Sequence, residues 1–319
     1  MILLLLVWIY ITWLCLVWGN IFFSFTVRPD KAGFIHPSPW IICFTGLALI
    51  GVITSWLSLF LPAGFFMHPV LLVPAILYNY LPANRKLIRK QINRVFSGYS
   101  RFTGFMAAAC VLLVLLISSH YIIHPDTLNY HTKAIQWIEH YKVVPGLVNI
   151  DNELGLQSWW FTVQAIFRFS FISSNSFLFI NGCVAAWFLL YTVSQMNEKR
   201  FWGWIMLLAF ALISWTQVRL TAASSSPDFI VALYIWGAFY LFLSGETGNK
   251  SFYYLTATLF CCAALTAKLS GIIMLLLPVC ICLLLFKKQA RLIAGVAGII
   301  ILAVTPFIIR NIITTGYPL

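Results

Sequence analysis

Apolar runs close to the ~20 residues that a helix needs to cross a bilayer recur along the whole chain, and the polar connectors between them are short. They fall near residues 2–25, 40–61, 65–82, 103–123, 176–195, 201–218, 229–243, 252–267, 271–286 and 292–309. No connector is long enough to bury a core of its own. The pattern predicts an all-α polytopic membrane protein with about ten transmembrane helices. The first run, from Ile2 to Phe25, lacks a basic start and a small-residue cleavage site and is longer than the apolar part of a signal peptide. It reads as a retained span.

Residues 124–175 break this rhythm. Within them Ser158–Ser170 is apolar but short, and its tryptophans, Gln164 and Arg168 suit a helix lying in the membrane interface. The region is therefore expected to form an outer-face loop of short interfacial helices. It also holds Asp126, Glu139, Asp151 and Glu153, which are half of the eight acidic residues in the chain. Polar chemistry is concentrated there.

Composition excludes a soluble domain: 61% of residues are hydrophobic, 9% are charged and the mean hydropathy is +0.92, against roughly 25% charged residues in soluble proteins. A net charge of +12 would suit nucleic acid, but the cations cluster in short connectors, where the positive-inside rule puts them. Asn84–Arg94 together with Arg101 carries six cations and no acid, which assigns that connector to the cytoplasmic side. Threading outward from it places 124–157, 219–228 and 268–270 outside and the connectors at 197–200, 245–250 and 287–291 inside. The partners this implies are membrane lipids, with no nucleic acid. All eight cysteines lie inside apolar runs without the spacing of a disulfide framework or a zinc site. They read as small core residues.

An ionisable group at a membrane boundary is costly unless it is paired or hydrated, so each one requires a reason. Asp126 directly follows a span, with His124 before it and His131 after it. A carboxylate there suits a general base, and Pro125-Asp126-Thr127 equally resembles a capped helix start. Asp228, in Ser224–Phe229, opens another span on the same face and also has the look of an N-cap. Lys268, between two apolar runs, Arg310-Asn311, at the end of the last span, and Arg219 place cations where the charge rule disfavours them. Each alone suits an interfacial anchor. Together with two acids on the same face they outline a site for an anionic lipid phosphate. Asp151-Asn-Glu153 has the acidic spacing of a divalent metal site and reads better as a solvated loop. The histidines lack metal-ligand spacing, and there is no Walker loop, dinucleotide turn or nucleophile elbow, so no metal or cofactor is assigned.

A span, an acid at its outer end, a long loop of surface helices and many further spans together resemble the GT-C superfamily of membrane glycosyltransferases. In detail, Asp126-x3-Tyr-His131, Ile135-Gln-Trp-Ile138, Val144-Pro-Gly-Leu-Val-Asn149, Ser158 with Trp160-Phe161, Ser225-Ser-Pro-Asp228, Lys268-Leu-Ser270 and Arg310-Asn311 with Gly316-Tyr-Pro318 are similar as a set to motifs of large bacterial multi-pass membrane proteins. The resemblance covers about residues 103–319. It implies a GT-C-like membrane domain at 102–319, shortened at its C-terminus, while residues 1–101, outside the resemblance, read as an N-terminal three-span anchor with the basic cytoplasmic connector. It further implies inverting transfer of a sugar from a polyprenyl-phosphate-linked donor to a glycan or lipid acceptor on the outer face of the bacterial inner membrane. Asp126 matches the loop-one acid of the superfamily and would be the general base, while His131, Asp228, Lys268, Arg310, Asn311 and Arg219 would bind substrate. Glu153 stands where the resemblance leads one to expect a basic residue, which leaves 151–153 without a role.

Two other readings compete. A lipid-linked glycan polymerase or ligase does not require the loop-one acid. A non-enzymatic transporter or scaffold would show paired polar groups at the midplane or broken helices in repeated halves, whereas the ionisable groups here collect at the outer boundary.

Overall fold

Leucine- and isoleucine-rich runs satisfy their backbone polar groups internally as helices, and they do so at nearly the predicted places. The computed structural model describes residues 1–26, 37–97, 99–120, 124–172, 179–197, 220–245, 250–286 and 289–318. Among these residues every regular element is helical and no strand occurs. The α-helices are α1 (Ile2–Thr26), α2 (Pro39–Leu57), α3 (Met67–Tyr80), α4 (Pro82–Ser97), α5 (Arg101–Ser118) and α6 (Thr132–His140). They continue with α7 (Trp159–Ile166), α8 (Phe179–Asn197), α9 (Asp228–Gly245), α10 (Lys250–Ala267), α11 (Leu276–Leu285) and α12 (Ala290–Thr315). A π-turn at Thr127–His131 leads into α6, and 3-10 turns occupy Leu147–Asn149, Asn152–Gly155 and Leu269–Leu275. The expected span at 201–218 lies outside the described residues.

Four helices, α1, α2, α5 and α12, are long and apolar enough to cross a membrane. Three of the other predicted spans fall short of that standard for identifiable reasons. α3 has 14 residues, or ~21 Å against a hydrocarbon core of ~30 Å. α11 has 10 residues because the segment before it winds as a 3-10 turn. α10 is diluted by Lys250, Tyr253, Tyr254 and three threonines, yet most of it is buried by its neighbours. Thr258 and Thr266 donate to the carbonyls of Tyr254 and Cys262, each at 2.8 Å, so these hydroxyls need no solvent.

α1 and α2 pack backbone against backbone. A Cβ at Gly19 would collide with the Ile42 carbonyl, and one at Gly46 with the Cys15 carbonyl. Small residues at such a crossing let helices approach closely where lipid provides no hydrophobic drive for association. One cluster of buried apolar side chains runs from Leu4 to Val296, so the first hundred residues share their core with the rest. Cys15, Cys43, Cys183, Cys261 and Cys262 are buried within the fold as free thiols.

The short helix at 159–166 forms as expected, but it does not lie in the interface. Every residue of α7 is buried, and the Trp159 ring rests on Gly51 of α2. The polar residues that suggested an interface are satisfied within the protein instead. Gln164 donates to Asn181 Oδ1 at 2.6 Å, and Arg168 donates to Glu139 Oε2 at 2.7 Å. The Ser170 hydroxyl donates to the other oxygen of Glu139. The chain leaves α7 through Phe169, whose φ of 52° is the one positive value at a described non-glycine residue. Its ring stacks on His68 at 4.9 Å.

The basic connector is itself a helix, α4. Arg85, Lys86, Arg89 and Lys90 are exposed, while Ile88 and Gln91 are buried. Gln91 and Asn20 exchange two amide hydrogen bonds of 2.9 and 3.0 Å, which dock α4 on α1. α5 starts just after this basic helix and ends at Ser118, whose hydroxyl donates to the Ala222 carbonyl at 3.3 Å. The two ends of α5 are ~26 Å apart by helical rise. The loop leading to Asp228 is therefore at the opposite end of the bundle from the basic helix.

α12 contains Pro306, which has no N–H to give to the carbonyl of Leu302 four residues earlier. The Trp56 indole of α2 donates to that carbonyl at 2.8 Å. The helix continues past the proline to carry Phe307, Arg310 and Asn311.

Candidate functional site

The C-terminal ends of α2, α5, α10 and α12 and the N-terminal end of α9 meet the loop 124–158. Hydrogen bonds between segments hold this end together. Ser225 N–H donates to Thr127 Oγ1 at 3.4 Å, Asn181 Nδ2 to the Ser226 carbonyl at 2.9 Å and the Ser158 hydroxyl to the Ala267 carbonyl at 2.7 Å. Gly146 N–H donates to the Ile313 carbonyl at 2.9 Å. A cavity of about 330 Å³ opens between these segments. It lies at the lower end of the ~300–1,000 Å³ typical of small-molecule sites.

Five of the residues singled out from the sequence line this cavity: Asp126, His131, Asp228, Lys268 and Asn311. Arg310 stands behind the wall. Arg219 lies outside the described residues.

Asp126 opens the π-turn at 127–131, but its side chain makes no capping hydrogen bond. It is exposed toward the cavity and forms no ion pair or hydrogen bond among the described residues. Asp228 begins α9. The capping work there falls to Ser226, whose hydroxyl accepts the Asp228 N–H at 3.3 Å and donates to Asp228 Oδ2 at 3.2 Å.

Lys268 takes an extended conformation that ends α10, and its ammonium pairs with Asp228 Oδ1. The outer cation at 268 is thus a partnered one. Both groups are about half exposed, at 48% and 45%. A pair of that exposure is worth at most ~1 kcal/mol, so Lys268 can be drawn away by a more strongly charged ligand.

Arg310 is different. It is buried, 6% exposed, and all its partners are neutral. Its Nη2 donates to the Ser58 hydroxyl at 2.6 Å and to the Ser58 carbonyl at 3.3 Å, and Nη1 donates to Gln157 Oε1 at 3.3 Å. Gln157 lines the cavity and links the guanidinium to it. No carboxylate lies within ion-pair distance of Arg310 among the described residues. Asn311, the next residue, reaches the cavity and donates to the Pro318 carbonyl at 3.3 Å.

His131 is buried against Phe161, with ring centres 5.0 Å apart, and stacks on His124 at 5.8 Å. Burial first, then the His124 ring, push its imidazole down to about 4. The carboxylates of Asp126 and Asp228 oppose that shift, and the Lys268 ammonium adds to it. Tyr130, also on the wall, has its phenol raised by burial and by the carboxylates of Asp126, Asp228 and Glu153. It therefore stays a hydrogen-bond donor at neutral pH. Asp151 accepts the Glu153 N–H at 3.1 Å and pairs with exposed Lys133 at 3.6 Å. No cluster of three His, Cys, Asp or Glu side chains suited to a metal occurs among the described residues.

The whole of residues 1–319 matches the family model for a domain of unknown function, DUF8201. The chain belongs to the DUF8201 family. No curated protein and no solved structure matches it. For this DUF8201 chain the chemistry is therefore read from the cavity itself: among the described residues, one carboxylate without a partner, a loosely held ammonium and a buried guanidinium without a counter-ion. Ser58, Gln157, Ser158 and Ser226 complete the DUF8201 site. Of these, Ser158 and Ser226 stand within motifs quoted from the sequence, whereas Ser58 is drawn in by Arg310 from 252 positions away.

Proposed function

We propose that this protein is a membrane glycosyltransferase of GT-C type, moving a sugar from a polyprenyl-phosphate-linked donor to a glycan or lipid acceptor. The observation that carries the proposal is the charge arrangement around one cavity. Asp126 enters it unpaired, while Lys268 on its wall and Arg310 behind it supply positive charge, the latter without a carboxylate of its own. A buried, uncompensated guanidinium acts at range in a low-dielectric setting and favours an anion in the adjoining space.

In this reading Asp126 accepts the proton of the acceptor hydroxyl as that oxygen attacks the anomeric carbon. The bond from that carbon to the lipid-phosphate oxygen breaks with inversion. Lys268 leaves Asp228 to meet the phosphate, and Arg310 supports the departing charge through Gln157.

The orientation follows from α4. Its exposed cations belong on the cytoplasmic side of a bacterial inner membrane, which turns the far end of α5, and with it the cavity, to the outer face. Ten spans, with the shorter apolar helices completing the set around α1, α2, α5 and α12, fit this arrangement.

A general base contributes ~10²- to 10⁴-fold in rate. Asp126→Asn should lower transfer from a polyprenyl-phosphate sugar by that factor, with expression and unfolding temperature unchanged. Normal transfer by the variant would sink the assignment of Asp126. Loss on Arg310→Met with an active Asp126→Asn would favour the polymerase or ligase reading.

A further inference from the structure

The nitrogen of His131 that meets Thr127 is Nδ1, 3.3 Å from the threonine hydroxyl oxygen. That oxygen already accepts the Ser225 N–H at 3.4 Å. An oxygen can accept twice, so this bond alone does not set the direction, but Thr127 is fully buried and among the described residues Nδ1 is the one acceptor within reach of its hydroxyl hydrogen. A hydroxyl that donates to Nδ1 requires that nitrogen to be unprotonated, and a neutral imidazole so bonded carries its proton on Nε2. The ring's hydrogen bond among the described residues is the one at Nδ1, which leaves Nε2 without a protein partner there, and the ring lines the cavity.

We propose that Thr127 is a positioning residue that fixes His131 as the Nε2–H tautomer, so that His131 presents a neutral hydrogen-bond donor to a sugar oxygen in the cavity. The assignment to a sugar oxygen rests on the transferase reading, whereas the tautomer does not.

The surroundings favour the neutral ring. His124 stacks on it at 5.8 Å, Tyr130 meets it edge-on at 4.4 Å and Phe161 covers it at 5.0 Å. Asp126, Asp228 and Lys268 are the charged groups that face it. Their effects partly cancel, and burial holds the imidazole at about 4, so the ring stays neutral across the physiological range. A neutral donor does not form an ion pair with Asp126 and does not compete with Lys268 for phosphate. It suits a hydroxyl or ring oxygen, which leaves the base free to take the acceptor proton.

The test uses the full chain in lipid nanodiscs, labelled with nitrogen-15 in histidine, with His131→Gln identifying the His131 resonances. The expected spectrum at neutral pH has an unprotonated Nδ1 and a protonated Nε2, unchanged down to pH 5.5. Thr127→Ser, which keeps the hydroxyl, should preserve that pattern, and Thr127→Val should replace it with a mixture of tautomers. A protonated Nδ1 in the native chain, or an unchanged pattern in Thr127→Val, would overturn the proposal. If the valine variant fails to fold, the native and Thr127→Ser spectra decide alone. No step of this measurement depends on transferase activity, so a failed transfer assay and a wrong tautomer are separate outcomes.

Discussion

Arg168 and Arg310 are both buried, and they have been treated in opposite ways. Arg168 meets Glu139 at 2.7 Å, and Ser170 satisfies the second carboxylate oxygen. Arg310 has a serine, a main-chain carbonyl and a glutamine amide oxygen. Desolvating a guanidinium costs several kcal/mol, and only an opposite charge returns most of that. The first arginine is therefore complete within the fold and serves to anchor the end of α7 to α6. The second remains short of one negative charge, and it sits where a cavity can receive one.

That contrast can be broken most sharply at Glu139. Replacing it with alanine removes the carboxylate that Arg168 meets and should lower the unfolding free energy by ~3–5 kcal/mol, read from thermal or denaturant unfolding in nanodiscs. Pairing Glu139→Leu with Arg168→Met should recover most of the loss. A small effect of Glu139→Ala would remove the structural side of the comparison.

Arg310 should answer differently. Arg310→Met is expected to change the unligated protein little, since a hydrophobic side chain of similar volume replaces a costly charge. The ligand response is where it differs. A polyprenyl phosphate at 100 times its Kd should stabilise the native chain by ~2.7 kcal/mol, and that shift should vanish in the variant. Equal shifts in both proteins would show that the guanidinium does not face an anion.

Ser58→Ala sharpens the comparison on a smaller scale. It removes one hydrogen bond to a charged group, worth ~1.5 kcal/mol or slightly more. The loss should appear in ligand-bound and free protein alike if Ser58 serves to hold Arg310, and in the bound form alone if the serine touches ligand.

The helices were legible because lipid imposes a strong rule on sequence: apolar runs of a given length, with cations between them. The charged part of the site was legible for the same reason, since Asp126, Asp228, Lys268 and Arg310 stood out against an apolar background. What the sequence concealed was neutral. Ser58 and Gln157 carry no mark that would draw them to Arg310, and their approach depends on the packing of α2 and α12 with the loop between α6 and α7. The burial of α7 was concealed too. Tryptophan, glutamine and arginine are the residues of a membrane interface and equally of a core whose polar groups have partners, and the difference lies in Asn181 and Glu139, which are distant in sequence. The partner of Lys268 was concealed as well, because Asp228 lies 40 positions away.

The proline inside α12 has a consequence for the history of the family. Pro306 strands the Leu302 carbonyl, and Trp56, 246 positions away, supplies the missing donor. Neither residue is useful without the other. A descendant that exchanges the proline for alanine regains its own amide and is released from keeping an indole at 56. One that loses the tryptophan first leaves a bare carbonyl inside the membrane. Drift at these two positions should therefore run in one order, with the proline going before the tryptophan.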